Sequence, residues 1–450
     1  MLSSPDAPLA AALKASKRRR VALPPLTGAL AKPPVAEEVD LHRRLARIDG
    51  GTEAADLFSK VQLDTEEVYD YSAPQVLKSA EALREMAWQR LHTGHWAEVD
   101  SAWRSCYMYA SFIYARAAWE VNRRHVNPTC LRAIDLGLML GDTSFRAKLM
   151  QAAEYFEEQL QPSTAAAQSN AGASASSDAG DESRRPLRAL SGPLPTPPSI
   201  RMPSLAFFYN EHMVPSRPAI LRGVLDGWPA LTTRPWSDLS YLKNLAGHRT
   251  VPIEHGQHYL DEAFDERLMT LNEFITQHLE GPPPTNNGRP TAYLAQHELF
   301  TQLPRLRRDI IQPDYCMLSL EEGEEEEEAA AAAAKDDVRV NAWLGPAGTL
   351  SPLHYDRYHN LLCQVVGSKY IRLYAPDQSD SLYPHTSGPH KVSSQIVEVD
   401  DADHEKYPKF GSAPYCDLVL NAGECLYIPP LWWHFVESRS ISFSVSFWWT

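Results

Sequence analysis

A strand-like segment near residue 350 constrains this chain more than any other feature, because it carries a histidine and an aspartate at alternate positions. His354 and Asp356 lie in the run SPLHYD. Alternate side chains of an extended strand share one face, so both can approach a single metal ion. His434, in the run LYIPPLWWHFVES, is the best candidate for a third ligand. Two histidines and one carboxylate on one side of an ion form the facial triad of non-haem Fe(II) oxygenases, although an isolated His-x-Asp pair is usually a surface accident.

A lysine follows the next predicted turn. After Gly367 and Ser368 the chain places Lys369 on the same strand face as Ile371 and Leu373. That face is the more apolar one, which predicts that the lysine is buried. A buried ammonium group without a partner is costly, so an anion is expected beside it. The distal carboxylate of 2-oxoglutarate would supply that anion; the alternative is a solvated lysine after a hairpin turn.

Several segments resemble the catalytic domain of the Jumonji C family of oxygenases. They are SPLHYD, GSKYIRLY, GECLYIPPLWWH and SISFSVSFWW, and the resemblance extends to AYLAQHELF and to an N-terminal patch, LHTGHWAEVDSAWRSCY. It covers roughly residues 70–160 and 200–450. The resemblance implies Fe(II) as cofactor and 2-oxoglutarate and O2 as cosubstrates. It makes His354, Asp356 and His434 the metal ligands and the catalytic centre.

The resemblance also implies which residues bind the cosubstrate. Carried over by motif, these are Tyr293, Ser351, Asn360 and Lys369. Asn360 stands in YHN, where the family pattern has its asparagine. The run RYH that follows Asp356 departs from the family pattern, and this difference affects the expected shape of the pocket rim.

The expected substrate is a protein or peptide that is basic and contains arginine. In the relatives that the chain resembles, the pocket accepts an arginine side chain, which is hydroxylated at a carbon. A guanidinium group binds carboxylates and aromatic faces. Glu254 offers the carboxylate, and Tyr259 and Trp343 offer aromatic walls. Their structural alternatives are an exposed strand carboxylate, a loop aromatic residue and a core residue.

Three functions remain open from the sequence. The first is a protein arginine hydroxylase. The second is a histone lysine demethylase that uses the same centre, and with it a role as a chromatin regulator. The third is a non-catalytic module that keeps the fold and binds partners. The intact set of three ligands and a lysine argues against the third.

The length of 450 residues predicts two domains. Residues 1–70 are expected to be a disordered N-terminal segment, and residues 71–161 a helical domain with apolar residues at helical spacing. Residues 162–199 are rich in Ser, Ala, Gly and Pro and are expected to be a flexible linker. The Jumonji C catalytic domain is expected at 200–450, with an acidic and poly-alanine insertion at 321–337.

The second half of the chain reads as many short strands separated by turn signals, beginning with a strand at 314–320. This density predicts a double-sheet jelly roll. The predicted class is therefore α+β: a double-stranded β-helix of the jelly-roll or cupin kind, preceded by a small all-α domain.

Charge and cysteine content exclude several classes of protein. The net charge is −14, and nine acidic residues lie within 321–337. An acidic surface argues against direct nucleic-acid binding and suits basic protein partners. The six cysteines are scattered without a CxxC pair, so neither a zinc module nor a disulfide framework is expected.

Targeting signals favour the nucleus or the cytoplasm. No apolar run approaches the roughly 18 residues of a membrane span. The basic cluster at 17–20, KRRR, is typical of a nuclear localisation signal. An organelle transit peptide is the alternative, because the same segment is rich in Ala and poor in acidic residues.

Overall fold

The structure is a computed structural model. It describes residues 28–31, 33, 35–48, 50–66, 73–93, 98–122, 125–160, 191–261, 263–281, 285–286, 289–290, 292–320, 338–388 and 390–450. The basic cluster at 17–20, most of the predicted linker and the acidic insertion lie outside these residues. The described residues form two compact units: a helical unit up to residue 160 together with 248–250, and a β-rich unit from residue 191 onward.

Helix α4, Ser101–Val121, is the centre of the helical unit, because it is buried on nearly all of its faces. It begins after Asp100, whose side chain accepts a hydrogen bond of 2.8 Å from the backbone N–H of Ala102. Its neighbours along the chain, α3 and α5, pack against it. The described helices of this unit are α1 (Val35–Leu45), α2 (Gly51–Glu66), α3 (Ala73–Leu91), α4 (Ser101–Val121), α5 (Pro128–Leu140) and α6 (Arg146–Leu160).

The prediction that residues 1–70 are disordered is wrong for the helices α1 and α2. Both are held by tertiary burial: Leu41 and Phe58 are almost completely inaccessible to solvent. The Tyr109 hydroxyl in α4 also donates a hydrogen bond of 2.8 Å to the buried carboxylate of Glu38 in α1. A short helix gains most of its stability from such packing, which local composition does not reveal.

The β-rich unit carries fifteen strands in its described part, with short helices in its first half. The helices are α7 (Leu205–Phe208), α8 (Leu239–Ala246), α9 (Leu271–Phe274), α10 (Leu299–Gln302) and α11 (Pro304–Arg307). The strands are β1 (Ser199–Arg201), β2 (Ala219–Arg222), β3 (Thr250–His255), β4 (Asp265–Thr270), β5 (Thr285–Asn286), β6 (Arg289–Pro290), β7 (Ala292–His297), β8 (Arg339–Gly345), β9 (Leu350–Tyr355), β10 (His359–Val366), β11 (Ser368–Tyr374), β12 (Cys416–Asn421), β13 (Glu424–Ile428), β14 (Trp433–Ser438) and β15 (Ser442–Trp449).

Most of these strands belong to two sheets that pack face to face. The larger sheet has the order β1-β2-β13-β10-β15-β8-β7-β3-β4, and the smaller sheet has the order β12-β11-β14-β9. One apolar cluster joins their inner faces, with Leu362 and Leu426 from the larger sheet and Ile371 and Val436 from the smaller. The two sheets are not closed into one hydrogen-bonded barrel within the described residues. The predicted class, α+β with a cupin-like β domain after a helical region, is confirmed.

The strand predicted at 314–320 is wrong. Asp314–Met317 forms a 3-10 turn instead. In this turn the consecutive residues Tyr315 and Cys316 are both buried. The Tyr315 hydroxyl donates a hydrogen bond of 2.6 Å to the carbonyl oxygen of Pro203, a contact that only the tertiary fold supplies.

In the described part of the chain, no helix is both long enough and apolar enough to cross a membrane.

Candidate metal centre

The pairing of strands β9 and β14 brings the three candidate metal ligands together. His434 lies directly opposite His354 in this antiparallel pair, and the centroids of their rings are 4.2 Å apart. Asp356 follows β9, and its carbonyl oxygen accepts a hydrogen bond of 2.7 Å from the backbone N–H of Leu431. One ligand atom from each of the three side chains lies within 4.8 Å of the other two. The third ligand therefore comes from a residue 78 positions beyond Asp356, as the two numbers show.

Hydrogen bonds orient both imidazoles so that each could bind a metal ion. The Nδ1 atom of His354 lies 2.7 Å from the carbonyl oxygen of Pro352, and that of His434 lies 3.0 Å from the carbonyl oxygen of Trp432. A carbonyl only accepts, so Nδ1 carries the hydrogen in each ring and Nε2 keeps its lone pair. Burial, and then the neighbouring His354, lowers the pKa of His434 to about 4, which leaves it neutral at pH 7.

Asp356 supplies the negative charge of the site. Its Oδ2 atom is buried and lacks a hydrogen-bond partner among the described residues. The same atom lies 3.6 Å from Nε2 of His434, and the pair is not an ion pair while His434 is neutral. An orphaned carboxylate oxygen facing imidazole lone pairs fits a bound divalent cation, so the donor set suits Fe(II).

Lys369 is buried, as its position in the sequence predicts. Only 2% of its surface is exposed, and its ammonium nitrogen lies 3.0 Å from the hydroxyl oxygen of Tyr293. It also lies 5.6 Å from the ring centroid of Tyr293 and 5.8 Å from that of Trp343. Burial lowers the pKa of Lys369 to about 7. No carboxylate of the described residues forms a salt bridge with it, so the group is suited to binding the carboxylate of a ligand.

The other two residues predicted to bind the cosubstrate, Ser351 and Asn360, are both buried but, among the described residues, do not contact Lys369 through a hydrogen bond. Ser351 is nearly buried on β9, three positions before His354. Asn360 is buried on β10, and its Oδ1 atom lacks a hydrogen-bond partner in the described part of the chain. Neither is hydrogen-bonded to Lys369 there. Their roles in binding 2-oxoglutarate stay predictions.

Glu254 lies beside Tyr293. It is paired with Tyr293 across strands β3 and β7, and both residues line a cleft open to solvent together with Thr349. Burial, and then the nearby carboxylate of Glu266, raises the pKa of Glu254 to about 7. A half-buried carboxylate of this kind favours a cationic ligand, which would stabilise its ionised form.

The two aromatic candidates are placed differently. The Tyr259 ring lies 6.4 Å from the ring of His354 in an edge-on arrangement, next to the metal ligands. Trp343 lies beside Lys369 and Tyr293 instead, and its Nε1–H donates a hydrogen bond of 2.9 Å to the hydroxyl of Ser446. Tyr259 is therefore at the metal side and Trp343 at the lysine side.

Two neighbours of Tyr259 were not predicted from the sequence. The hydroxyl of Ser393 lies 2.9 Å from the Tyr259 hydroxyl, and the ring of His390 stacks on the Tyr259 ring with centroids 5.9 Å apart. Both residues come from the irregular segment 382–396. They occur in no periodic pattern, so only their long-range contacts identify them.

Two family models match the chain. A cupin-like domain matches residues 204–450, which is more than half of the chain. A model described as KDM8-like, N-terminal ARM repeats matches residues 66–170. The first match contains all ten residues predicted to bind metal, cosubstrate or substrate.

Relatives from animals match over most of the chain. Lysine-specific demethylase 8 of Danio rerio is 37% identical over 396 residues, which cover 87% of this chain and 92% of that protein. Jumonji C domain-containing protein 5 of Drosophila melanogaster is 37% identical over 372 residues, covering 82% and 85%. The human bifunctional peptidase and (3S)-lysyl hydroxylase JMJD7 is 28% identical over 291 residues, covering 58% and 86%.

The Danio rerio and Drosophila melanogaster matches extend over the helical region as well as the β-rich unit. Jumonji C proteins are generally dependent on Fe(II) and 2-oxoglutarate, and the His-Asp-His group described above has the donors that such a metal needs. The chain therefore belongs to the Jumonji C family of cupin-like oxygenases, with a KDM8-like helical region before its β domain.

Proposed function

We propose that this chain is an Fe(II)- and 2-oxoglutarate-dependent oxygenase that hydroxylates a carbon of an arginine side chain in a protein substrate. The observation that carries the proposal is the group of His354, Asp356 and His434, whose ligand atoms lie within 4.8 Å of one another. The buried ammonium of Lys369 supports it, because it provides a cation for a diacid cosubstrate.

His354, Asp356 and His434 would hold the metal, and Lys369 would bind the distal carboxylate of 2-oxoglutarate. Tyr293 would orient that carboxylate through its hydroxyl, which lies 3.0 Å from the Lys369 ammonium. Bound Fe(II), with 2-oxoglutarate and O2, supplies the oxidation of a C–H bond and yields succinate and CO2. The chain's own contribution is to place the substrate carbon and to keep water from the site. We also assign Ser351 and Asn360 to the cosubstrate pocket.

Glu254 and Tyr259 support arginine as the substrate residue. A guanidinium group can bind a carboxylate through two parallel hydrogen bonds and stack on an aromatic face. Glu254 lines the cleft beside Tyr293, and the Tyr259 ring lies next to the metal ligand His354. A planar cation held between them would place its aliphatic carbons toward the metal. Trp343 would then form the wall on the lysine side.

Lysine is the second candidate substrate residue. The name lysine-specific demethylase 8 given to the Danio rerio relative favours a histone lysine demethylase with the same centre. Hydroxylation of an N-methyl group would release formaldehyde. The human relative is named as a (3S)-lysyl hydroxylase, which makes carbon hydroxylation of lysine another outcome to measure.

The remaining proposals concern the whole chain. We propose that it acts on basic proteins in the nucleus or the cytoplasm. We also propose that the helical unit, which includes α1 and α2, is joined by a linker at 162–199 to a catalytic domain at 200–450 with an insertion at 321–337. The non-catalytic module remains an outcome of the test below.

A turnover assay with Fe(II), ascorbate and 2-oxoglutarate separates these functions. An arginine peptide that gains the mass of one oxygen, with matched release of succinate, supports the proposal. Formaldehyde from a methyl-lysine peptide supports the demethylase, and oxygen gained by an unmethylated lysine supports a lysyl hydroxylase. The Asp356→Ala variant is the blank. If neither basic peptides nor basic proteins stimulate 2-oxoglutarate turnover above this blank, the non-catalytic module is favoured.

A further inference from the structure

We propose that Ser393 is a positioning residue for the substrate: its buried hydroxyl holds Tyr259 in place beside the metal ligand His354. This inference rests on the proposed function, in which Tyr259 contacts the substrate at the rim of the pocket. It adds a second loop to that rim. The two loops are here called the tyrosine loop, residues 256–261 and 263–264, and the serine loop, residues 382–388 and 390–396.

The serine loop is attached to the strand that carries the metal ligand. Ser393 forms an isolated antiparallel bridge with His354 itself. On either side of this bridge, the backbone N–H of Tyr355 donates a hydrogen bond of 3.0 Å to the carbonyl of Val392, and that of Ser394 donates one of 2.8 Å to the carbonyl of Leu353. The backbone of Ser393 therefore has a fixed position relative to the metal ligands.

The Ser393 side chain extends this fixed position to the tyrosine loop. Only 2% of the surface of Ser393 is exposed, and its hydroxyl shares a hydrogen bond of 2.9 Å with the Tyr259 hydroxyl. The Tyr259 ring is stacked on His390, which belongs to the same serine loop. One hydroxyl pair and one ring stack thus join the two loops.

Short-range contacts organise part of the tyrosine loop. The backbone N–H groups of Asp261 and Phe264 each donate a hydrogen bond of 3.0 Å to a carbonyl three residues earlier, at His258 and Asp261. Gly256, at its start, has a φ of +131°, a conformation that suits glycine. The shared hydrogen bond with Ser393 and the ring stack on His390 connect Tyr259 to the serine loop beside His354.

The consequence is specific to substrate binding. Loss of the Ser393 hydroxyl should let Tyr259 move away from the position where it contacts the peptide. A neutral hydrogen bond contributes about 1 kcal/mol, so peptide binding should weaken by about fivefold. The metal ligands and Lys369 are held by other contacts, so binding of Mn(II) and 2-oxoglutarate should change by less than about twofold.

The test compares Ser393→Ala with Ser393→Thr, which keeps a hydroxyl, and with Tyr259→Phe, which removes the same hydrogen bond from the other loop. Full-length proteins are loaded with Mn(II) and 2-oxoglutarate. Calorimetry then measures binding of an acetylated glycine–serine peptide with one central arginine. Hydrogen exchange of the amides at 257–261 is measured without peptide.

We expect Ser393→Ala and Tyr259→Phe to weaken peptide binding about fivefold, and the double variant to be no weaker than either, because both remove one shared bond. Exchange at 257–261 should accelerate in both single variants and be restored in Ser393→Thr. In turnover, KM for the peptide should rise while kcat changes little.

Two results would overturn the inference. One is exchange at 257–261 that is unchanged in both Ser393→Ala and Tyr259→Phe. The other is a loss of Mn(II) or 2-oxoglutarate binding as large as the loss of peptide binding, which would make Ser393 a general structural residue. If the wild-type protein neither binds nor turns over the arginine peptide, the proposed substrate fails. The exchange measurement then still decides whether Ser393 holds Tyr259.

Discussion

Asp356 Oδ2 and Asn360 Oδ1 are buried polar atoms without hydrogen-bond partners in the described part of the chain. Lys369 is a third buried polar group there, and its hydrogen-bond partner, Tyr293, is uncharged. Groups of this kind cost free energy in the folded protein unless a ligand satisfies them. At the scale of single residues, the site therefore offers an unpartnered carboxylate oxygen that suits a cation, an amide oxygen that suits a hydrogen-bond donor, and a buried ammonium group that suits a carboxylate.

The role of Asp356 can be measured through metal binding. The variant Asp356→Ala removes one of three ligands. Loss of a group that only hydrogen-bonds to a metal ligand lowers metal affinity by about 10- to 100-fold, so loss of a ligand should lower Mn(II) affinity by about 100-fold or more. The metal-free variant should be at least as stable as the wild type, because an unpartnered carboxylate oxygen is lost. Arg357→Ala, at an exposed neighbour, is the control. Retained Mn(II) affinity in Asp356→Ala would refute the assignment.

The role of Lys369 can be measured through the pH dependence of cosubstrate binding. The pKa of the free group is lowered to about 7, and an adjacent carboxylate would raise it. Binding above pH 7 must then take up a proton, so 2-oxoglutarate affinity should fall as pH rises from 7 to 9.

Lys369→Met should weaken 2-oxoglutarate binding about 30-fold, as expected for a hydrogen bond to a charged group, and should abolish the pH dependence. Calorimetry in buffers of different ionisation enthalpy detects the proton uptake. Lys409→Met, at an exposed lysine, should bind like the wild type. A pH dependence that survives in Lys369→Met would assign the titration to another group.

Glu254 should make the affinity for the arginine peptide rise with pH, the opposite of the trend expected for 2-oxoglutarate. Burial, and then Glu266, raises the pKa of Glu254 to about 7, so the ionised fraction increases about tenfold from pH 6 to pH 8. With 2-oxoglutarate saturating, arginine-peptide affinity should rise over this range and stay flat in Glu254→Gln. Glu266→Gln removes a like charge, so the midpoint should move to lower pH. A midpoint that does not move would separate the pH effect from Glu254.

At the scale of elements, the site depends on the register between strands and on the turns that set it. Strands β9 and β14 must pair with His354 opposite His434, because a shift by one residue would turn one imidazole to the other face. Strand β11 carries Lys369 directly after the turn at Gly367 and Ser368, and it pairs with β14 from Lys369 to Tyr374. The turn and the pairing together bring the lysine and the metal ligands into one sheet.

Two glycines in turns allow this dependence to be tested. Gly367 and Gly423 both have positive φ, at +71° and +87°. A Cβ atom at Gly367 would overlap the carbonyl oxygen of Ile441, whereas no atom lies within 4 Å of one at Gly423. Gly423→Ala should therefore cost about 1 kcal/mol of unfolding free energy from backbone strain alone, and Gly367→Ala about 3 kcal/mol.

Denaturant unfolding measures both costs. Equal costs would show that the contact at Ile441 relaxes freely. A larger cost at Gly367 should be accompanied by weaker 2-oxoglutarate binding, because Lys369 lies two residues further along the chain. Gly423→Ala should leave that binding unchanged.

At the scale of the whole molecule, each unit combines elements that are distant in sequence. The helical unit needs α1 and α2, whose apolar residues are buried despite the charged composition of that segment. The β-rich unit joins strands from residue 199 to residue 449 in two sheets. Ligands that bind only the folded site should therefore stabilise the whole β-rich unit against unfolding.

Metal addition and removal should change stability in a predictable way. A ligand present at 100 times its Kd stabilises the folded state that binds it by about 2.7 kcal/mol. Mn(II), and then 2-oxoglutarate, should each produce an increase of this size, and excess chelator should reverse both. Asp356→Ala should respond by less than about 0.5 kcal/mol at the same Mn(II) concentration, because a 100-fold weaker affinity leaves the metal near its Kd. An equal response in this variant would place the stabilising metal elsewhere.

Local sequence patterns determined the class of the fold and part of the candidate site, whereas the assignment of Tyr293, Ser351 and Asn360 came from the resemblance to the Jumonji C family. Period-two alternation predicted that His354 and Asp356 share a face and that Lys369 is buried, because both depend on a single strand. Helical spacing predicted the helices between residues 73 and 160, which form around the buried helix α4. Long periodic segments carry this information within themselves.

Only the tertiary structure decided which distant groups meet. Helices α1 and α2 are stabilised by burial against other helices, and the turn at 314–317 by the contact of Tyr315 with Pro203, so their local sequences are poor guides. Tyr293 meets Lys369, and Ser393 meets Tyr259, across 76 and 134 positions of the chain. The sequence by itself thus determined which chemistry the chain carries, and the fold decided which atoms come within hydrogen-bond distance, because strand register and loop attachment arise from contacts between distant segments.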